Sequence, residues 1–203
     1  MPFRKLHPHL LENLERLEIE TPTAFQKSSI PVIKSGINVF AFAKKGSGKT
    51  TTLILTTLQK LKCEAAGDAP RAVVMVADKE KVLELYEAFN EYTKYSSLRV
   101  YASYEQLHID VQKSEIYMGI DILITTPQTL HSLFLTNGVS ISELKIISVD
   151  DAEFLSNKKD ATGLIAMAAS IKKSQFVIYA EKEHPQLKRL EEHFMEHSRT
   201  IKA

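Results

Sequence analysis

Residues 43–50, AKKGSGKT, bring two glycines, a lysine and a hydroxyl residue together at a spacing suited to a polyphosphate. Gly46 and Gly48 let the backbone curl so that successive N–H groups face phosphate oxygens, where a side chain would obstruct. Lys49 supplies a point charge for the terminal phosphates, and Thr50 a hydroxyl for Mg²⁺. Lys44, Lys45, Gly46, Ser47, Gly48, Lys49, Thr50 and Thr51 are therefore the candidate nucleotide-binding residues. The segment TTTLILTTLQKLK reads as a helix whose positive dipole end faces the anion. Ala43 stands at the first position of the general GxxxxGK[ST] pattern, and the apolar run before it gives the strand-loop-helix context that the pattern needs. A second piece of chemistry lies at the end of KIISV, residues 145–149, where a strand delivers Asp150 and Asp151 at its C-terminal end. Asp150 is expected to hold Mg²⁺ together with Thr50, and Asp151 to take a proton from an attacking water. Lys49, Asp150 and Asp151 are thus the candidate catalytic residues. The competing reading has one of the two acids simply capping the helix DAEFLSN.

These residues need a parallel sheet to position them. Short apolar runs at 38–43, 72–77, 98–102, 121–125, 145–149 and 175–180 read as strands covered on both faces. Helical stripes separate them: Val82, Leu85, Tyr86 and Phe89; Leu164, Met167, Ala168 and Ile171; Leu187, Leu190 and Phe194. Strands alternating with helices predict an α/β fold, a three-layer sandwich around a mostly parallel central sheet. The 203 residues suffice for one such domain, with helices over 1–36 and the core over 37–198. A single cysteine, Cys63, excludes an internal disulfide framework. The N-terminus lacks the pattern of a secretory signal, and no run approaches the ~20 apolar residues of a membrane span, so the expected location is cytoplasmic. A net charge of +1 argues against nucleic-acid binding by bulk electrostatics, while leaving local basic stripes open. His193 and His197, with Glu196 nearby, are spaced for one helical face; without a third ligand a solvated terminal helix explains them.

The order of these landmarks resembles the DEAD-box RNA helicases, specifically their first RecA-like domain, over nearly the whole chain. TPTAFQ at 21–26 is similar to the family's Q motif, which implies that Gln26 reads adenine and selects ATP. DILITTPQTL at 121–130 resembles the strand and TPGR motif, and VDDAEFL at 149–155 takes the place of VLDEADxL. The resemblance implies ATP and Mg²⁺ as ligands, single-stranded RNA as a partner held by backbone phosphates, and Lys79, Thr126 and Thr129 as remaining nucleic-acid contacts. It also implies a second RecA-like domain or a protein partner, since the family's arginine fingers lie on that second domain and are worth roughly 10³ to 10⁵ in rate. No second helicase domain is expected within the 203 residues; the chain stops at HSRTIKA, where the family's linker would begin.

The departures from the family pattern are specific. Asp151 replaces the glutamate that positions water, which withdraws the carboxylate by roughly 1.5 Å at a step where such a displacement costs on the order of 10²-fold. Glu153 replaces the last aspartate of the motif, and Tyr179-Ala180-Glu181-Lys182 lacks the hydroxyl pair of motif III. VADKEKV at 76–82 lacks the Pro and Arg of the RNA-contacting segment, Gln128 and Thr129 replace Gly and Arg, and Ala102-Ser103 replaces a glycine pair. Ile19 stands at the aromatic position of the Q motif, leaving Phe3 as the candidate to stack on adenine or to pack a helix. The sequence therefore predicts ATP binding with weak or absent hydrolysis and no unwinding alone. Two alternatives remain open: a non-catalytic nucleotide-responsive adaptor, and an unrelated P-loop NTPase or kinase.

Overall fold

Short apolar runs form a seven-stranded, all-parallel sheet in the computed structural model, which describes residue 3, residues 5–171 and residues 173–203. The strands are β1 (Val39–Phe42), β2 (Ala72–Met75), β3 (Val100–Ser103), β4 (Ile122–Thr125), β5 (Ile146–Val149), β6 (Gln175–Ala180) and β7 (Arg199–Lys202). Their spatial order is β3-β4-β2-β5-β6-β1-β7. Two helices, α1 (Pro8–Arg16) and α2 (Ala24–Lys34), precede the sheet. The crossovers contain α3 (Lys49–Lys60), α4 (Lys79–Thr93), α5 (Ile109–Tyr117), α6 (Pro127–Leu135), α7 (Lys158–Ala168) and α8 (Pro185–Arg189). A short 3₁₀ helix, Ala152–Ser156, follows β5.

Strand alternation divides the core into two layers. Val39, Ala41, Ala72 and Val74 face one cluster, which receives Leu10 of α1, Phe25 of α2, Leu53 and Leu58 of α3, and Phe89 of α4. Phe40, Phe42, Val73 and Met75 face the other, filled by Ile116 of α5, Leu130 of α6, Leu164 of α7 and Leu187 of α8. The result is the three-layer α/β sandwich that the strand-helix alternation predicts.

Packing rather than propensity forms α3. Its threonines at 50, 51, 52, 56 and 57 each disfavour a helix by roughly 0.5 kcal/mol relative to alanine. Leu53, Ile54, Leu55 and Leu58 are buried on the same helix, and each contributes about 1.5–3 kcal/mol, so burial wins by a wide margin. Thr52 and Thr56 return their hydroxyls to the helix backbone, to Gly48 O and Thr52 O.

Two sequence expectations change near the C-terminus. The segment read as the start of a linker forms β7, parallel to β1, so the sheet continues past residue 198 to Lys202. This strand is short and at a sheet edge, with only Ile201 buried, and so shows no apolar run. His193 and His197 do not share a helical face: α8 ends at Arg189, and His197 adopts a positive φ of 57°. Ser103, not Ala102, closes β3.

The opposite edge of the sheet is tied by one carboxylate. Arg71 and Arg99 immediately precede β2 and β3, and Asp121 immediately precedes β4, which lies between those two strands. Asp121, fully buried, accepts from Arg71 Nη2 at 2.6 Å, Arg99 Nε at 2.9 Å, Arg99 N at 3.0 Å and Ala66 N at 3.1 Å. Burial alone would push this carboxyl up, but the bonds from Arg99, Ala66 and Arg71 outweigh it and hold the group below the ordinary carboxylate range. Its stabilisation is thus fully present above the unfolded-state pKa and is lost as pH falls through the lower folded-state value. We predict that Asp121→Ala lowers unfolding free energy by about 3–5 kcal/mol at pH 7 in urea titrations, because two arginines lose their buried partner. Asp121→Asn should also flatten the decline in stability below pH 4; an unchanged acid limb would contradict the role.

Candidate functional site

The loop after β1 and the acids after β5 converge at the C-terminal edge of the sheet. Gly46 and Gly48 adopt φ of +80° and +92°, a region that other residues enter at a steric cost. A Cβ on Gly48 would also lie 2.6 Å from Gln26 Nε2, whereas Gly46 has open space beside it, so only Gly48 is needed for packing as well as for conformation. Gly48 is the N-cap of α3, leaving the first amides of that helix directed at the loop. Thr23 joins the two parts: its hydroxyl donates to Ser47 O at 2.7 Å and also accepts from Gln26 N, while Gln26 Oε1 accepts from Thr23 N at 2.9 Å. Gln26, buried, is thus an N-terminal cap of α2 and a wall of the phosphate loop, with its Nε2 directed toward Gly48.

Lys49 is buried, and its Nζ donates to Ala43 O at 2.9 Å. Thr50 Oγ1 donates to Asp150 Oδ2 at 3.0 Å, and Lys49 Nζ stands 3.8 Å from Asp151 Oδ1. Burial, then repulsion from Asp151, pushes the Asp150 carboxyl up to about 6, against the hydrogen bond from Thr50 and the charge of Lys49. An oxygen pair of this kind, with a carboxylate that lacks a full counter-charge, suits a divalent cation. Ser47 Oγ is buried with no hydrogen-bond partner among the described residues, an orphan that a phosphate oxygen or its hydration would satisfy. The residues present therefore fit a magnesium polyphosphate.

Asp151 is more exposed and sits in the left-handed region at φ 44°, ψ 58°, a conformation in which aspartate is enriched among non-glycine residues. It caps nothing through its side chain, so the capping alternative fails for Asp151; Asp150 accepts from the Asp151 backbone N–H at 3.2 Å. Lys44 and Lys45 are exposed on the loop, and Thr51 turns toward Tyr92 of α4 rather than into the cradle. A cavity of about 570 Å³ adjoins Gln26 and is lined by Phe3, Lys27, Ile30 and Pro31. Phe3 is buried and belongs to the core packed around α1 and α2 as well as to this cavity wall.

The remaining candidates lie along the same edge. Lys79 opens α4, and its Nζ is 5.2 Å from the ring centroid of Tyr104. Thr126 caps α6, accepting from Thr129 N, and both threonines are buried. Glu153 reaches across to accept from Glu181 N at 2.5 Å, tying the acidic segment to the end of β6 by a backbone bond instead of a hydroxyl pair. Sequence reasoning did not find this latch, nor the part played by Gln112, which is buried on α5 and bonds Ser103 Oγ, Tyr104 O and Leu107 O. Neither belongs to a recognisable motif: Glu153 meets a segment 28 positions away, and Gln112 folds back on the loop that leads into its own helix.

The family model for DEAD/DEAH box helicases matches residues 23–183. The chain belongs to that family. Among curated DEAD-box relatives it is 34% identical over 139 residues to the pre-mRNA-processing ATP-dependent RNA helicase prp-5 of Neurospora crassa, covering 67% of this chain and 12% of the relative. Against the ATP-dependent RNA helicase DeaD of Mycobacterium tuberculosis it is 28% identical over 150 residues, covering 73% and 26%. A DEAD box protein from Methanococcus jannaschii superposes with a TM-score of 0.88 at 16% identity, covering 98% of this chain and 54% of that one. Saccharomyces cerevisiae Dbp5, solved with Nup159, Gle1, IP6 and ADP, gives 0.86 at 19% identity, covering 98% and 52%. At these identities the structures show a shared fold. The chain spans about half of each solved DEAD-box neighbour and 12% and 26% of the two curated relatives.

The buried acid at the DEAD-box site generates a prediction. Asp150→Asn removes a carboxylate whose ionised form is disfavoured by burial, so the nucleotide-free protein should unfold about 5 °C higher by calorimetry. A lower midpoint would show that the ionised acid is needed for folding.

Proposed function

We propose that this chain is an ATP-binding DEAD-box domain that engages single-stranded RNA in an ATP-dependent manner, hydrolyses ATP weakly or not at all, and does not unwind duplexes by itself. The observation that carries this reading is the 3.0 Å approach of Thr50 Oγ1 to Asp150 Oδ2 beside Lys49 and the glycine loop. Loop amides and Lys49 would hold the phosphates, and Thr50 with Asp150 would hold Mg²⁺. Mg²⁺, when bound, neutralises charge on the phosphates. Asp151 would accept a proton from water, with Lys49 near enough to keep its carboxylate oriented. Gln26, lining the adjoining cavity, would read the adenine edge while its other amide atom stays committed to the α2 cap.

Two observations favour weak chemistry. Asp151 has a shorter reach than the family's glutamate, and the end of β6 is tied to the acidic segment through Glu153 and a backbone N–H. These same observations favour the second reading, an adaptor that responds to nucleotide without turnover. A second RecA-like domain or a protein partner would supply what this half-site lacks.

The test is ATP affinity by calorimetry and ATP turnover with and without single-stranded RNA. We expect Lys49→Ala to weaken ATP binding by about 10²-fold, the loss of charge-assisted hydrogen bonds worth roughly 3 kcal/mol. Asp151→Glu should raise turnover by up to about 10²-fold; a drop would refute the weakened-base argument. Absent turnover in both, with intact ATP binding, selects the adaptor. Gln26→Ala should relax the preference for ATP over GTP and lower stability by about 1 kcal/mol through the lost cap. Unchanged selectivity would detach Gln26 from base recognition.

A further inference from the structure

Three adjacent strands deliver side chains to one stretch of rim at the C-terminal edge of the sheet. Tyr104 and Glu105 follow β3, Thr126 follows β4, and Lys79 follows β2, in the sheet order β3-β4-β2. The rim is the one to which Lys79, Thr126 and Thr129 belong as candidate nucleic-acid contacts, yet it holds an anion of its own. Thr126 Oγ1 donates to Glu105 Oε1 at 2.5 Å. Thr129 Oγ1 also lies 3.0 Å from Thr126 Oγ1, but a hydroxyl has a single proton, and the shorter, charge-assisted bond to the carboxylate takes it. Beside it Lys79 is drawn over Tyr104, the residue preceding that acid.

This arrangement is fixed rather than incidental. Gln112, buried, binds Ser103 Oγ on one side and donates to Tyr104 O at 3.3 Å and Leu107 O at 2.8 Å on the other. The loop that carries Glu105 is thereby fastened at both ends, while Glu105 itself is solvent-exposed. An exposed carboxylate accepting from a threonine at a helix start, with a lysine over the ring of the preceding residue, occupies a donor that a backbone phosphate would use.

We propose that Glu105 stands in for a nucleic-acid phosphate on this rim, so that the chain carries its own competitor for single-stranded RNA. The inference rests on the RNA reading given under Proposed function. While Glu105 holds Thr126, that hydroxyl is not available to an incoming phosphate, and the carboxylate repels it. With a neutral acceptor at 105 the bond to Thr126 is no longer charge-assisted and the repulsion is gone, so a phosphate can displace it, which adds roughly 0.7 to the magnitude of the slope of log affinity against log salt for a single strand.

The experiment is fluorescence anisotropy of a short labelled oligouridylate titrated with the full chain and Mg·ATP over a salt series, using wild type, Glu105→Gln and Lys79→Ala. Gln at 105 keeps an acceptor for Thr126 and loses only the charge, so a merely structural role would leave RNA affinity unchanged. We expect Glu105→Gln to bind about tenfold more tightly at low salt with a steeper salt slope, and Lys79→Ala to bind more weakly. If Lys79→Ala weakens binding and Glu105→Gln does not tighten it, the competitor role is overturned and the RNA rim survives. If no variant binds, or neither substitution changes binding, the RNA reading of this rim is overturned and the proposal with it.

Discussion

The approach of the Thr50 hydroxyl to the Asp150 carboxylate is the contact on which the rest of the site depends, and it spans strands that are not neighbours. β6 lies between β1 and β5, so the two chain segments meet only if three parallel strands hold one register. That register pairs Phe42 with Ala180 and Val149 with Ile178, which places Ala43 and Asp150 at the same end of β6. β6 is buried along its whole length, and its Tyr179 lies in the core on the α3 side with its hydroxyl 3.5 Å from Thr56 Oγ1. A slip of one residue would turn every side chain of a strand to the opposite layer and move the acid off the loop.

Electrostatics at this edge are deliberately unbalanced. Lys49 stands 3.8 Å from Asp151, the nearby Lys81 is paired with Glu84, and burial pushes the Asp150 carboxyl up. Such a group is a burden to the ligand-free fold and a benefit to cation binding, the usual tension between stability and a working site. At the other end of the sheet the balance is reversed: Asp121 receives two arginines and three strand starts are locked. The molecule is thus rigid where the strands begin and electrostatically under-satisfied where they end.

Much of this was legible in the sequence because its carriers are local. The glycine loop, the apolar strands and the paired acids each occupy a few consecutive residues, and their placement follows once the strands are parallel. What escaped is non-local or marginal. Glu105 and Glu153 act on segments that adjoin them only through the fold, Gln112 folds back on the loop that leads into its own helix without a motif to mark it, and Asp121 meets Arg71 and Arg99 across 50 and 22 positions. β7 has one buried residue in four and therefore no apolar signal. Thr126 and Thr129 read as nucleic-acid contacts through the motif they resemble, but both are buried, and Thr126 is held by Glu105 of the loop after β3.

The pairing of Thr50 with Asp150 is tested by a calorimetric titration of the wild-type chain with ATP, with and without Mg²⁺. We expect saturable binding of one nucleotide per chain that weakens at least about tenfold when Mg²⁺ is withdrawn, as it must if Thr50 and Asp150 act through the metal. Binding that is absent, or that is indifferent to Mg²⁺, would contradict that role.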